Sequence, residues 1–274
     1  MPLWNDDKNI MLVAGHRGAR RIRPENTMTA FNYAIDLGVD MVETDIRQTK
    51  DGQLVLMHDA RVDRTTDGSG LVRDHTFAEF RRLNAAAHDD GFAPEKPPLL
   101  EELLERVAAH PTMLVNLELK EYPHVEGEAF AFDTADRTLE MVEKYGLGGR
   151  IIVNSFSGRL LRYVREKYGD RYPLHGFIPY FYLGPDAGDP DKYLDVACLF
   201  HAELVDGQAR ALPGEVCPES WFNETIARGI EPWVGAGVRT KEDLALSFER
   251  GARLVTADDP EAALRWLREM GHHK

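Results

Sequence analysis

The chain has 274 residues, 43% hydrophobic and 29% charged, which excludes a disordered chain and leaves room for the core of one large barrel. Its net charge of −13 excludes a general nucleic-acid binder, which needs a basic surface to release phosphate counterions. No apolar run approaches the roughly 20 residues of a membrane span, the start from Met1 to Asp7 lacks a signal-peptide pattern, and Cys198 and Cys217 read as packing residues rather than a disulfide framework. The expectation is a cytoplasmic protein without membrane insertion.

In chain order, a strand over Met11 to Ala14 runs into His16-Arg17-Gly18. A helix follows over Asn26 to Leu37, with Phe31, Ala34, Ile35 and Gly38 on one face and Pro24 and Asn26 as start signals. The second strand covers Met41 to Ile46. Residues 50–98 then break the alternation: Asp51-Gly52 marks a hairpin turn before Gln53 to His58, and a short helix is expected near Phe77 to Asn84. We read this segment as an insertion at a barrel mouth. Beyond it, strands are expected over Met113 to Leu119, Ile151 to Asn154, Leu174 to Ile178, Ala197 to Val205, Glu231 to Val234 and Arg253 to Thr256. Helices are expected over Leu99 to His110, Glu128 to Tyr145, Gly158 to Tyr168, Glu219 to Arg228, Lys241 to Arg250 and Pro260 to Met270, with the connection from Pro179 to Lys192 the least helical. Eight strands alternating with helices predict an α/β fold, a (β/α)8 TIM barrel spanning residues 1–274 as one domain, with a small insertion after the second strand. His272-His273 is read as a solvated terminus and His201 and Glu203 as facing inward.

In the second strand the period of two puts Glu43 and Asp45 on one face, against Val42, Thr44 and Ile46 on the other. The third strand of the barrel repeats this with Asn116, Glu118 and Lys120. Three inward carboxylates repel one another and are costly when ionised in a low-dielectric site. A divalent cation of the hard, oxygen-loving kind, Mg²⁺ or Ca²⁺, resolves this; a structural ion-pair network with Lys120 and Arg17 is the alternative. His16 follows the first strand and His58 ends the hairpin after the second, where barrel enzymes carry their chemistry.

Read in order, Gly15-His16-Arg17-Gly18, Pro24-Glu25-Asn26-Thr27, Ala30-Phe31, Gly38-Val39-Asp40, Glu43-Thr44-Asp45, Thr49-Lys50-Asp51-Gly52, His58-Asp59 and Asp63-Arg64-Thr65-Thr66 resemble the glycerophosphodiester phosphodiesterase family. The likeness continues through Glu118-Leu119-Lys120, Asn154-Ser155-Phe156 and Trp233, and is dense from Gly15 to Gly70. The resemblance implies a metal-dependent enzyme cleaving small glycerophosphodiesters to glycerol 3-phosphate and an alcohol. It makes Glu43, Asp45 and Glu118 the metal ligands and His16 and His58 the acid–base pair. Arg17, Lys120 and Trp233 would then contact the substrate. The chain departs from the family after Trp233, at Val234-Gly235-Ala236-Gly237, and at Ala257, where a Thr is usual. The same site could serve a lysophospholipase D or a sphingomyelinase D-like enzyme; a catalytically inactive glycerophosphodiester-binding protein is the remaining alternative. Phe177, Tyr180, Phe181 and Tyr182 are candidates for either the leaving-alcohol pocket or the core.

Overall fold

A computed structural model describes Trp4, residues 6–235 and residues 237–274; Ala236, within the departure noted above, lies outside the described residues. The strands among the described residues are β1 (Leu12–Gly15), β2 (Met41–Gln48), β3 (Leu54–Leu56), β4 (Leu114–Leu119), β5 (Ile151–Asn154), β6 (Leu174–Ile178), β7 (Val196–Leu199), β8 (Ala202–Val205), β9 (Gln208–Ala211), β10 (Glu231–Val234) and β11 (Leu254–Ala257). Eight of them, β1-β2-β4-β5-β6-β7-β10-β11, are parallel neighbours, and β1 pairs with both β2 and β11, so the sheet closes into a barrel. Strands buried on both faces read as apolar runs, which is why these segments were legible as strands.

The helices are α1 (Met28–Leu37), α2 (Phe77–Phe80), α3 (Leu100–Ala108), α4 (Pro123–Glu126), α5 (Glu128–Lys144), α6 (Gly158–Tyr168), α7 (Glu219–Ala227), α8 (Lys241–Glu249) and α9 (Pro260–Met270). Each long helix lays an apolar stripe on the outer barrel face. In α3, Leu100, Leu103, Leu104 and Val107 are buried, while Glu105 is exposed and Glu101 and Glu102 are half-buried. Burying each such side chain stabilises the fold by about 1.5–3 kcal/mol. None of the described helices is long and apolar enough to cross a membrane.

The inside of the barrel is layered. Ala14, Met41, Leu114, Ile152, Val196, Trp233 and Leu254 form an apolar floor. Above it, towards the carboxyl ends of the strands, the inward positions turn polar: Glu43, Asp45, Asn116, Glu118, Asn154 and His175 are all buried.

Residues 50–98 sit beside β2. β3 pairs antiparallel with its end, and Val55, Met57, Val62, Val72 and Phe80 make a small core of their own. α2 is a single turn, shorter than the expected Phe77 to Asn84, although Thr76 and Glu79 close a capping box at its start. The segment from Pro179 to Lys192 holds only short 3-10 turns.

Three further expectations fail. Ala197 to Val205 is not one strand: β7 stops at Leu199, and β8 leaves the barrel to pair with β9 across Asp206-Gly207, both at positive φ (50° and 77°). An Asp-Gly pair with those angles makes a tight hairpin turn, so Glu203 is exposed on the hairpin and His201 bonds the Gly214 carbonyl at 3.1 Å instead of facing inward. His272 and His273 are not free in solvent either. His273 Nε2 lies 2.9 Å from Asp40 Oδ2, and His272 stacks on Phe248 at 3.8 Å between ring centres.

Candidate active site

The register of β2 against β4 pairs Glu43 with Asn116 and Asp45 with Glu118, so alternate inward side chains of two adjacent strands meet. Carboxylate oxygens of Glu43, Asp45 and Glu118 lie within 4.8 Å of one another, and all three residues are buried. Burial pushes Glu43 well above the usual carboxylate range, and the charges of Asp45 and Glu118 push it further. Glu118 is also raised by burial, against the pull of Lys120. Burial acts on Asp45 in the same sense, yet there the Lys120 and Arg17 cations prevail and hold its carboxyl well below that range.

Arg17 reaches the cluster from the turn after β1. It sits at φ 49° with Gly18 at φ 84°, and a Cβ on Gly18 would stand 2.7 Å from the Ala30 backbone; only glycine permits this close approach to α1. The turn aims the Arg17 N–H at Glu43 Oε2 (2.9 Å) and puts its Nε 3.2 Å from Asp45 Oδ2. Lys120 Nζ donates to Glu118 and lies 3.2 Å from Asp45 Oδ1. The ion-pair network and the convergent carboxylates are thus the same object. The network does not consume all of the negative charge: Glu43 Oε1 is buried without a hydrogen-bond partner. Hard oxygen donors with an unpaired buried oxygen among them fit a divalent cation.

The two histidines flank this cluster. His16 Nδ1 donates to Asp258 Oδ1 at 2.6 Å, and its Nε2 lies 3.8 Å from Glu43 Oε2. His58 Nδ1 donates to Asp59 Oδ1, also at 2.6 Å. In each ring the carboxylate fixes the tautomer and leaves Nε2 for the pocket. Burial lowers both imidazoles below their ordinary value, and Asp258 and Asp59 oppose this. Asp59 is bound by Arg64 at 2.6 Å, and Arg64 continues to Glu25 at 2.7 Å, which accepts from Arg17 at 2.8 Å. This chain of charges ties the insertion carrying His58 to the turn carrying Arg17.

Seven of the eight expected site residues therefore come together, and Trp233 lies apart. It is 1% exposed in the apolar floor, its Nε1–H bonded to Glu231 at 2.8 Å. Asp258 had been given no role, and Glu25, Asp59 and Arg64 had stood only within the family motifs, without a role in the site. Asn26 had been read only as a helix start signal; it leaves cap duty to Thr27 and turns at φ 54° to donate to Asp45 Oδ2 at 2.7 Å. Asp258 had one available signal, its place directly after the last barrel strand. The change to Ala257 leaves the site's backbone in place, since its carbonyl accepts from His16 N–H at 3.0 Å.

The cluster opens into a cavity of 190 Å³. Its opposite wall is a stack of Phe156, Phe177 and Phe200, with ring centres 3.7 Å and 5.4 Å apart along the stack. Tyr182 packs edge-on against Phe156 and Phe200, whereas Tyr180 is turned away to bond Asp191. A cavity of 340 Å³ elsewhere, between Ile226, Pro232 and Phe248, is larger but apolar; the chemistry lies in the smaller one. Cations beside convergent carboxylates, with an oriented histidine on either side, suit an anionic substrate whose cleavage needs proton transfer at two atoms.

Residues 16–182 match the model of the Glycerophosphoryl diester phosphodiesterase family. A glycerophosphodiester phosphodiesterase of Caldanaerobacter subterraneus is 31% identical over 276 residues, covering 95% of this chain and 99% of that protein. Among solved structures, an Oleispira antarctica phosphodiesterase in complex with the product sn-glycerol-3-phosphate superposes with a TM-score of 0.77 at 20% identity, covering 94% of this chain and 97% of the other. A glycerophosphodiester phosphodiesterase from Agrobacterium tumefaciens gives 0.69 at 21% identity, covering 92% and 98%.

Proposed function

Since this chain belongs to the Glycerophosphoryl diester phosphodiesterase family, we propose that it hydrolyses glycerophosphodiesters to glycerol 3-phosphate and an alcohol. In this reading Glu43, Asp45 and Glu118 hold Mg²⁺ or Ca²⁺, His16 and His58 move the protons, and residues 1–274 act as one catalytic unit. The observation that carries it is the carboxylate cluster, with oxygens within 4.8 Å, set between two histidines whose Nδ1 atoms are each fixed at 2.6 Å by a carboxylate. The Oleispira relative retains sn-glycerol-3-phosphate, which supports glycerol phosphate as the retained product.

When bound, the cation supplies positive charge to the non-bridging oxygens of the phosphodiester. Arg17 and Lys120 add charged hydrogen bonds to the same oxygens. His16, the deeper ring, takes a proton from the nucleophile, a water or the substrate's own 2-hydroxyl. His58 protonates the departing alkoxide. The exposures support that division: the His58 side chain is 33% exposed on the insertion, against 16% for His16, so it stands nearer the exit of a leaving alcohol.

The test is a ³¹P NMR assay on glycerophosphocholine and glycerophosphoethanolamine with the protein in chelator, then with Mg²⁺ or Ca²⁺ restored. Chelation should abolish turnover, and metal should return glycerol 3-phosphate as product; a transient cyclic phosphate would identify the 2-hydroxyl as the nucleophile. Full turnover in excess chelator, with no metal found by elemental analysis, would overturn the metal site.

A further inference from the structure

Glu25 does not line the catalytic cavity, as His16, Arg17 and His58 do, yet three arginines converge on its carboxylate. Arg17 donates to Oε1 at 2.8 Å. Arg64 grips both oxygens, at 2.7 Å to Oε1 and 3.1 Å to Oε2. Arg20 Nε lies 4.0 Å from Oε2. The Glu25 side chain is 11% exposed; burial works against its charge, but Arg64 and Arg17 hold the carboxyl below its ordinary range. The backbone beside it is pinned as well, because the N–H of Asn26 donates to the Arg17 carbonyl at 3.1 Å and the Asn26 side chain donates to Asp45. A carboxylate fixed in this way is a reference point from which the arginines take their positions.

Two of the three arginines lead on to a histidine. Arg64 also donates to Asp59, at 2.6 Å to Oδ2 and 3.2 Å to Oδ1, and Asp59 Oδ1 is the atom that holds His58 Nδ1. A planar guanidinium bridging two carboxylates transmits position, because its hydrogen bonds fix angles as well as distances. Arg20 Nε lies 3.6 Å from Asp258 Oδ1, the atom that holds His16 Nδ1. At that separation the contact is an ion pair rather than a hydrogen bond, so Arg20 is shared between Glu25 and Asp258. Without Glu25, Asp258 is the carboxylate left to Arg20, which would draw closer to Oδ1 and compete there with His16. Arg17, Arg20 and Arg64 would also lose the anion that separates three like charges.

We propose that Glu25 is a positioning residue shared by both proton-transfer histidines, setting His58 through Arg64 and Asp59 and His16 through Arg20 and Asp258. The proposal rests on the phosphodiesterase reading above. One carboxylate then aligns both ends of the proton transfer, so its loss disturbs acid and base together. Loss of Arg64 disturbs the acid alone, and loss of Arg20 the base alone.

The experiment measures kcat and KM of the metal-loaded wild type, Glu25→Gln, Arg64→Leu and Arg20→Leu on glycerophosphocholine and on the p-nitrophenyl diester of glycerol, whose leaving group departs without a proton. Arg64→Leu should recover on the activated ester, and Arg20→Leu should be slower by about tenfold on both. Glu25→Gln should lose about a hundredfold in kcat on glycerophosphocholine and stay at least about tenfold slow on the activated ester. Its KM should change little, because Arg17 keeps its second hold on Asp45. Adding Arg64→Leu to Glu25→Gln should cost little further, since losses along one path do not add. In chelator, NMR of ¹⁵N-labelled histidines should show the Nδ1 protons of His16 and His58 both exchanging faster with water in Glu25→Gln, and that of His58 alone in Arg64→Leu; a merely structural carboxylate would lower the melting temperature without this pattern. Full recovery of Glu25→Gln on the activated ester, a loss confined to KM, or wild-type kinetics in a folded variant overturns the proposal. If Glu25→Gln does not fold, Arg20→Leu decides: slowing on both esters upholds the path to His16, and wild-type kinetics removes it and the proposal with it. An active wild type with an unaffected Glu25→Gln sinks the shared anchor alone, whereas a wild type that turns over neither ester and binds no glycerol 3-phosphate sinks the hydrolytic reading as well.

Discussion

His16 and His58 present the same arrangement twice, an Nδ1 on a carboxylate and an Nε2 at the pocket, so hydrogen bonding alone does not divide the proposed roles of acid and base, and leaving-group chemistry tests the division. A choline alkoxide must be protonated as it leaves, whereas p-nitrophenolate is stable at neutral pH. His58→Ala should therefore lose about 10² to 10⁴ in rate on glycerophosphocholine and recover most of it on the p-nitrophenyl diester of glycerol. His16→Ala should stay slow on both, and recovery by His16→Ala alone would reverse the roles. At this scale the sequence was legible where strand period decides: Glu43, Asp45 and Glu118 share inward faces because side chains alternate. It did not show the partnership of Asp258 with His16, which meet across 242 residues only because β1 and β11 become neighbours at closure. Asn26 was misread for a physical reason too. Asparagine is equally suited to capping a helix and to a left-handed turn, and only the position of Asp45 decides between them.

Among the elements, the insertion is held by charge as well as by its own small core. Arg64 donates to both Asp59 and Glu25, so Arg64→Leu should free Asp59 and loosen His58. We expect kcat to fall by about tenfold with a smaller change in KM, together with an altered pH profile; unchanged kinetics in a folded variant would leave the linkage without a role. The segment after α9 offers a second case. The hydrogen bond to Asp40 raises the pKa of His273, so its contribution is complete below the unfolded value of about 6.5 and is lost as pH rises through the raised folded value. His273→Gln should lower the melting temperature at pH 5.5 more than at pH 8.5, and equal shifts at both would count against the pairing. Neither this contact nor the β8–β9 hairpin was read from sequence. Terminal residues carry no periodic signal, and the stretch from Ala197 to Val205, apolar but for His201 and Glu203, crosses the point where the chain leaves the barrel with no turn residue to mark it.

For the molecule as a whole, the site is a source of instability when no cation is bound. Glu43 has its pKa raised by burial and by two neighbouring carboxylates. Its ionised form therefore opposes folding once the pH passes its ordinary range. Glu43→Gln should melt higher than wild type in chelator at neutral pH. Added Mg²⁺ or Ca²⁺ should raise the wild-type melting temperature, by linkage to binding, and raise that of the variant much less. Equal metal-induced shifts in the two proteins would remove Glu43 from the ligand set. The contact between His16 and Asp258 has a consequence for the order in which the protein is made. Ribosomes deliver His16, His58 and all three carboxylates long before Asp258. While the last strand is still being translated, the imidazole of His16 has no carboxylate to fix its tautomer, and β1 lacks one of its two neighbours. The nascent chain would thus hold most of the groups proposed for catalysis before the contact that orients His16 can form, and activity would begin only once the last barrel strand and Asp258 have emerged.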